Sequence, residues 1–396
     1  MKKKVVLAYS GGLDTSCAIR WLQDKYNVDV VCFSAFIGEV KDRKKLEKKA
    51  LISGAKKAYI LDLKEEFARE YIVPSLWAHA RYEGQYPLAT ALGRPLIAKH
   101  LARVAKLEKA DYVAHGCTGK GNDQVRIEVG VKTWAPNIKI IAPLREWDFK
   151  SREEEIDYAK KHKIPVDATK ASPYSIDMNI WGIAIEAGIL EHPWTEPPKD
   201  AYVMTRNMDK VPNQPRYIVI DFVNGVPVKL NGVKKDLVSM IETLNEIGGM
   251  YGVGRFDMIE NRLVGIKSRE VYEAPAAEIL LRAHTELEGM VMDREFIHYK
   301  RLLSEKYAQL TYFGYWFTPL KESLDAFFKS NQNRVTGKIR MKLDKGHAVC
   351  VGRESKYSLY SEKLATYSAA DAFDHKSAQG FLKMWGLPYE GLKDKD

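Results

Sequence analysis

Over the first 165 residues, short β-branched runs alternate with longer stretches of helical periodicity, and that alternation leaves few folds open. The runs are Val5–Tyr9, Val28–Ile37, Tyr59–Leu63, Tyr112–His115 and Ile138–Ala142. They read as buried strands, and strands that take turns with helices argue for a parallel sheet covered on both faces. The helical period is plainest where Leu92, Leu96, Leu101, Val104 and Leu107 fall near one face of a segment starting around Thr90. In Ser151–His162, the opening serine and Glu154 have the spacing of a capping box. A Rossmann-like α/β domain is predicted for residues 1–165.

The texture then changes. Residues 165–200 are rich in Pro, with polar residues set beside aromatic ones. Asn224-Gly225 links Tyr217–Phe222 to Val226–Leu230, a strong hairpin signal because both turn residues need positive φ. A second hairpin is predicted from Lys338–Leu343 and Ala348–Val351 around Asp344-Lys345-Gly346. Helices are predicted at Leu237–Ile247, across most of Ile279–Tyr307, and at Leu320–Lys329. The final helix, Ser377–Trp385, presents Phe381, Met384 and Trp385, and so apolar an end is expected to dock on its own domain or a neighbouring subunit. The fold class is therefore α/β, a parallel-sheet domain followed by a mixed α+β region that ends in a short helix.

The segment that carries most chemistry is Ala8-Tyr9-Ser10-Gly11-Gly12-Leu13-Asp14-Thr15-Ser16, between the first run and a helix predicted at about Thr15–Lys25. Gly11 and Gly12 let the backbone approach a ligand closely, and the helix start offers free N–H groups and a positive dipole end to an anion. Ser10, Thr15 and Ser16 add hydroxyls. No lysine follows the glycines, so this is not a Walker A loop. A second glycine-rich stretch, His115–Arg126, follows the fourth run and should lie at the same sheet edge. Its Thr118, Asn122, Asp123 and Arg126 suit an amino-acid zwitterion: a carboxyl group for the ammonium, a guanidinium fork for the carboxylate.

Composition narrows the partners. Lys+Arg 62 against Asp+Glu 52 gives a net charge of +10, which fits polyanionic ligands. The basic residues are interspersed with acidic ones, as in Lys150–Lys163, so no nucleic-acid partner is expected. Cys17, Cys32, Cys117 and Cys350 stand far apart, without a CxxC pair or a histidine cluster, which argues against a zinc site or disulfide framework. No apolar run approaches the roughly 20 residues of a membrane span or the about 7–15 of a signal-peptide core. A cytoplasmic protein with no membrane partner is the expectation.

The first loop resembles the pyrophosphate (PP) loop of the ATP-pyrophosphatases, which cleave ATP between its α and β phosphates. With His115–Arg126 and six further segments, the chain is similar along nearly its whole length to the argininosuccinate synthases. Those segments begin at Tyr82-Glu83-Gly84, Arg94-Pro95, Pro173-Tyr174-Ser175, Gly252-Val253-Gly254-Arg255, Glu260-Asn261-Arg262 with Gly265–Glu273, and Tyr357-Ser358. The resemblance implies a nucleotide-binding domain over 1–165, a synthetase domain for substrate binding and multimerisation over 166–360, and an oligomerisation arm over 361–396 of a homotetramer. It implies a C–N ligase of arginine biosynthesis: ATP, L-citrulline and L-aspartate give argininosuccinate, AMP and pyrophosphate through citrullyl-AMP. Mg²⁺ would enter with ATP, without protein side-chain ligands.

By the same resemblance, Ala8, Tyr9, Ser10, Gly11, Gly12, Leu13, Asp14, Thr15 and Ser16 hold ATP and pyrophosphate together with Ala35 and Gly116. Thr118, Asn122 and Asp123 bind aspartate, while Tyr86, Thr90, Asn122, Arg126, Ser175, Ala184, Glu260 and Tyr272 surround citrulline. Asp14, Asp123 and Arg126 are the expected catalytic residues; no covalent nucleophile is expected, and Cys117 reads as a packed side chain. Ala184 stands where the pattern calls for serine, a hydroxyl worth about 0.5–1.5 kcal/mol. Ala89, Gly93, Phe36, Glu39 and Ala276 also depart from the pattern. These departures leave one alternative, a related ligase that adenylates a different ureido, amide or carboxyl acceptor; the +10 charge leaves a less favoured one, an RNA-modifying PP-loop enzyme.

Overall fold

A computed structural model describes residues 2–38, 42–165 and 174–394. The first region is a five-stranded sheet in the order β3-β2-β1-β4-β5, every pairing parallel. Its strands are β1 (Lys4–Ala8), β2 (Asp29–Phe36), β3 (Lys57–Asp62), β4 (Tyr112–Ala114) and β5 (Lys139–Ile141), each within two residues of an expected run. Helices α1 (Leu13–Tyr26), α2 (Arg43–Ile52), α3 (Lys64–Phe67), α4 (Val73–Trp77), α5 (Ala89–Glu108), α6 (Asp123–Trp134), α7 (Pro143–Glu146) and α8 (Arg152–Lys161) intervene. Period-two alternation explains the covering on both faces. Val5 and Leu7 of β1 pack with Ile19 and Leu22 of α1, whereas Val6 joins the core containing Leu96 and Leu101 of α5.

Leu92, Leu96, Leu101 and Val104 are buried as expected. Leu107 is exposed instead; it lies in the last turn, just before the left-handed cap at Lys109 (φ 50°). At α8, Ser151 Oγ accepts from Glu154 N at 3.3 Å, while Glu154 reaches back to Lys150 N at 2.8 Å, one residue beyond the usual reciprocal partner.

The second region holds β6 (Ser175–Asn179), β7 (Gly182–Glu186), β8 (Arg216–Val223), β9 (Val226–Leu230), β10 (Val233–Lys234), α9 (Leu237–Met250), β11 (Arg255–Asn261) and β12 (Lys267–Glu273). It continues with α10 (Pro275–Val291), α11 (Arg294–Tyr312), α12 (Pro319–Ser330), β13 (Gly337–Asp344), β14 (His347–Glu354), α13 (Glu362–Ala365) and α14 (His375–Gly386). Its strands form two antiparallel sheets, β10-β9-β8-β13-β14 and β11-β12-β7-β6. Both predicted hairpins are present. Asn224 and Gly225 have φ of 51° and 71°, and Lys345 and Gly346 have 41° and 85°, so the second turn has two residues with Asp344 paired to His347. The mainly helical stretch expected across Ile279–Tyr307 is helical and divides into two, because Met292 is extended and the Asp293 carboxylate caps α11 by accepting from Phe296 N at 3.0 Å.

The sheet β11-β12-β7-β6 was not anticipated, and it faces the first region. Trp181 Nε1 donates to Pro87 O at 3.0 Å and Asn179 Nδ2 to Ala89 O at 2.7 Å, tying its β6–β7 hairpin to the start of α5. One apolar core runs from Val6 through Leu92 and Leu101 of α5 to Trp181, Tyr272, Tyr312 and Ile339. By contrast, no residue of α14 is buried, and Phe381, Leu382, Met384 and Trp385 are all at least 60% exposed. No described helix is long and apolar enough to cross a membrane.

Candidate functional site

Strands β1 and β4 are neighbours, but the chain runs from β1 outward to β2 and from β4 outward to β5. Their carboxyl ends therefore diverge, opening the crevice where parallel α/β sheets bind ligands. Tyr9–Ser16 leaves β1 on one side and His115–Arg126 leaves β4 on the other. A Cβ on Gly116 would lie 2.8 Å from the Thr15 methyl carbon, so glycine is what lets the two loops touch.

The first loop is braced from within. Gly11 has φ 79°, Ser10 Oγ accepts from Gly12 N at 3.2 Å, and Ser10 and Thr15 hydroxyls meet at 3.1 Å. Ser16 is fully buried; its hydroxyl donates to Gly12 O at 2.7 Å and meets the Tyr9 hydroxyl at 3.1 Å. That hydroxyl is engaged in the turn itself. The loop's offer to an anion is thus the first-turn N–H groups of Leu13, Asp14 and Thr15 at the positive end of α1. Asp14 in that turn meets Glu155 of α8. Burial, then the charge of Asp14, pushes the Glu155 carboxyl up to about 7.

Across the crevice, register places Tyr272, Ala184 and Asp177 in one row over β12, β7 and β6, so their side chains share a face. Tyr272 stacks on Tyr86 at 4.0 Å between ring centroids, and Tyr312 of α11 stacks on Tyr82 at 3.5 Å. Glu260 accepts from the hydroxyls of Tyr272 (2.6 Å) and Tyr312 (2.5 Å), and Asn122 Nδ2 donates to the Tyr312 oxygen at 2.8 Å. Burial raises the Glu260 carboxyl above its ordinary range, with the two tyrosine hydroxyls pulling the other way.

Arg126 lies buried over the Tyr312 ring, donating Nε to Tyr312 O at 2.8 Å and Nη1 to Asp123 Oδ1 at 2.9 Å. Arg94 of α5 ion-pairs the other oxygen of Asp123 at 2.7 Å and also pairs Asp177. Burial alone would raise the Asp123 carboxyl, but Arg94 and Arg126 outweigh it and hold it below the usual range. Among the described residues, four buried side-chain polar atoms lack a hydrogen-bond partner: Arg94 Nε, His100 Nδ1, Arg126 Nη2 and Glu155 Oε2. Leaving such an atom unsatisfied costs about 1–3 kcal/mol, so three of them on side chains around one crevice mark a ligand site.

Of the residues expected around citrulline, Tyr86, Asn122, Arg126, Glu260 and Tyr272 fall into this network. Thr90 joins through its N–H, which donates to the Tyr86 hydroxyl oxygen at 2.8 Å. Ala184 lies beside Tyr272, and Ser175 is exposed at the start of β6, paired with Glu186. Thr118 is exposed in the second loop, and Ala35 is partly buried near the end of β2. Burial, aided by Asp123, pushes the Cys117 thiol up to about 12. Glu39 and Pro173 fall outside the described residues. Tyr82, Asp177, Tyr312, Glu155 and the contacts of Arg94 were given no role in advance; Tyr82, Arg94 and Asp177 stood within family-like segments, and Glu155 within the segment Ser151–His162.

Among the described residues, His79, His284 and Glu288 gather three groups able to ligate a metal, His79 Nε2 lying 2.7 Å from His284 Nδ1. Lys300 pairs with Glu288 and lies 3.4 Å from both His79 ring nitrogens, so this cluster already contains its cation. Burial and Lys300 hold both imidazoles neutral.

Residues 4–165 match the family model described as the arginosuccinate synthase N-terminal HUP domain, and residues 174–391 match the arginosuccinate synthase C-terminal domain. The argininosuccinate synthase of Dictyoglomus thermophilum is 58% identical over 386 residues, spanning 98% of this chain and 96% of its own. Those of Symbiobacterium thermophilum and Bacillus subtilis are 56% and 55% identical over 388 residues, with the same shares covered.

Proposed function

The chain belongs to the argininosuccinate synthase family, and from that premise we propose how its residues divide the work. It is a ligase of arginine biosynthesis that joins citrulline to aspartate at the expense of ATP, releasing AMP and pyrophosphate. The observation that carries the assignment of roles is the crevice itself, with a phosphate-type loop on one wall and a tyrosine, carboxylate and guanidinium basin on the other.

In this reading Ala8 to Ser16, with Ala35 and Gly116, hold ATP, and the first-turn N–H groups of α1 stabilise the departing pyrophosphate. Tyr86, Thr90, Asn122, Arg126, Ser175, Ala184, Glu260 and Tyr272 surround citrulline. The unpaired Nη2 of Arg126 takes its carboxylate, and Glu260 takes its ammonium. So anchored, the ureido oxygen attacks the α-phosphorus and expels pyrophosphate. Thr118, Asn122 and Asp123 hold aspartate, whose amine attacks the activated carbon, loses a proton and displaces AMP. Most of the acceleration is alignment, with Asp14, Asp123 and Arg126 supplying fixed charge.

Mg²⁺ belongs to this proposal as the companion of ATP. The carboxyl groups of Asp14 and Glu155, the latter with a buried oxygen lacking a partner, are hard oxygen donors that would hold it beside the loop. Bound there, Mg²⁺ neutralises phosphate charge. This assigns to the protein two ligands that sequence reading did not give it.

Residues 1–165 serve as the nucleotide-binding domain, 166–360 as the synthetase domain and 361–396 as an oligomerisation arm, whose bare apolar helix α14 suits a homotetramer. In this reading the enzyme sits in the cytoplasm, on the wide spacing of its four cysteines. The test is product analysis with ATP, citrulline and aspartate: AMP should be released only with both amino acids, pyrophosphate should accumulate over many turnovers only with both, and ADP formation would overturn the reading.

A further inference from the structure

Arg94 is the cation of the crevice that the roles above leave unused. It rises from α5, its side chain only 16% exposed, between the start of α6 and the floor strand β6. One nitrogen, Nη2, serves two carboxylates, Asp123 at 2.7 Å and Asp177. Its Nε is buried and has no partner. Guanidinium groups engage carboxylates best as a fork through two N–H groups, and Asp177 meets this one at Nη2 alone.

We propose that Arg94 is a specificity-determining residue of the amine-donor site, receiving the side-chain carboxylate of aspartate in the place that Asp177 occupies before the amino acid arrives. The inference deepens the ligase reading and rests on it. Aspartate brings two carboxylates and one ammonium, yet Thr118, Asn122 and Asp123 include no cation. Arg126 is engaged by Asp123 and Tyr312 and faces citrulline, while Lys120 is exposed in the loop. Arg94 is the buried positive group left at the start of α6. Asp177 is free to yield: its side chain is 41% exposed, and its neighbour in register is the small Ala184. An asparagine side chain would leave the guanidinium facing a neutral amide, so the same contact separates the acid from its amide.

The experiment uses the full chain and its R94K and D177N variants. AMP formation is measured with aspartate varied at saturating citrulline, then with citrulline varied at saturating aspartate. Lysine keeps the charge and loses the fork, so R94K should raise the aspartate KM more than about 30-fold and the citrulline KM less than about 3-fold. D177N should lower the aspartate KM about 3-fold or more, because the competing carboxylate is gone. Equal rises in both KM values for R94K, or an unchanged or higher aspartate KM for D177N, overturn the assignment. D177N decides the matter even if R94K fails to fold. A parent chain that makes no AMP from citrulline and aspartate defeats the ligase reading instead, before either variant is consulted.

Discussion

The β1–β4 crevice and the floor sheet opposite it face the same space but present different groups to it. On the crevice side the loop's ligand-facing groups are backbone N–H donors, held by a left-handed glycine and by side chains turned inward, such as Ser16. On the floor side the groups are carboxylates, phenols and guanidiniums that pair with one another across strands and helices. A backbone site is damaged by adding atoms. A side-chain site is damaged by removing them.

Four substitutions probe that contrast. The largest effect is expected from Arg126→Ala, which strips the Asp123 and Tyr312 contacts at once. Turnover should fall at least about 1,000-fold, and urea unfolding should show a loss of about 3–5 kcal/mol, as for other broken buried pairs. A loss of activity under tenfold would mean that the floor side does not bind through this group. Next comes Gly11→Ala. Its φ of 79° and a Cβ 2.4 Å from Leu46 Cδ1 predict about 1–2 kcal/mol of destabilisation. The ATP KM should rise about tenfold while the citrulline KM holds; an unmoved ATP KM breaks the backbone account.

Third is Glu155→Gln. The folded chain holds the Glu155 proton up to about 7, whereas an ordinary glutamate loses it near 4.5. Across that window the folded state binds more protons than the unfolded state, so stability falls as pH rises. The variant's Tm should decline less than the parent's between about pH 5 and 7.5, and parallel curves would dismiss the carboxyl pair. The smallest effect belongs to Ala184→Ser. One added hydroxyl on the floor, worth about 0.5–1.5 kcal/mol, should lower the citrulline KM about threefold, and a higher KM would show that the row has no room for it.

The same contrast explains what could be read in the chain. Val5 to Leu7 and Val30 to Phe33 are buried on both faces, so they appear in sequence as uninterrupted apolar runs. Asn224-Gly225 was legible because the turn needs two residues at positive φ. The floor strands were not. In β12, Ser268, Glu270 and Tyr272 point at polar partners because they border the ligand space, and this erases the apolar alternation that marks a strand. Family motifs located Glu260 and Tyr272, where periodicity could not. Tyr312 carries no local signal, since Tyr82 and Asn122 reach it only when α11 closes against the first region; Asp177 ended a family-like segment, but its pairing with Arg94 likewise comes only with closure.

The apolar core that crosses both regions bears on how the polypeptide is born. When residue 165 has just cleared the ribosome, α5 has one side covered by its sheet, but Trp181, Tyr272 and Tyr312 have not yet arrived on the other. The nascent chain therefore carries a greasy, half-clothed helix through much of its synthesis, and its escape from clumping depends on how quickly translation delivers the remainder.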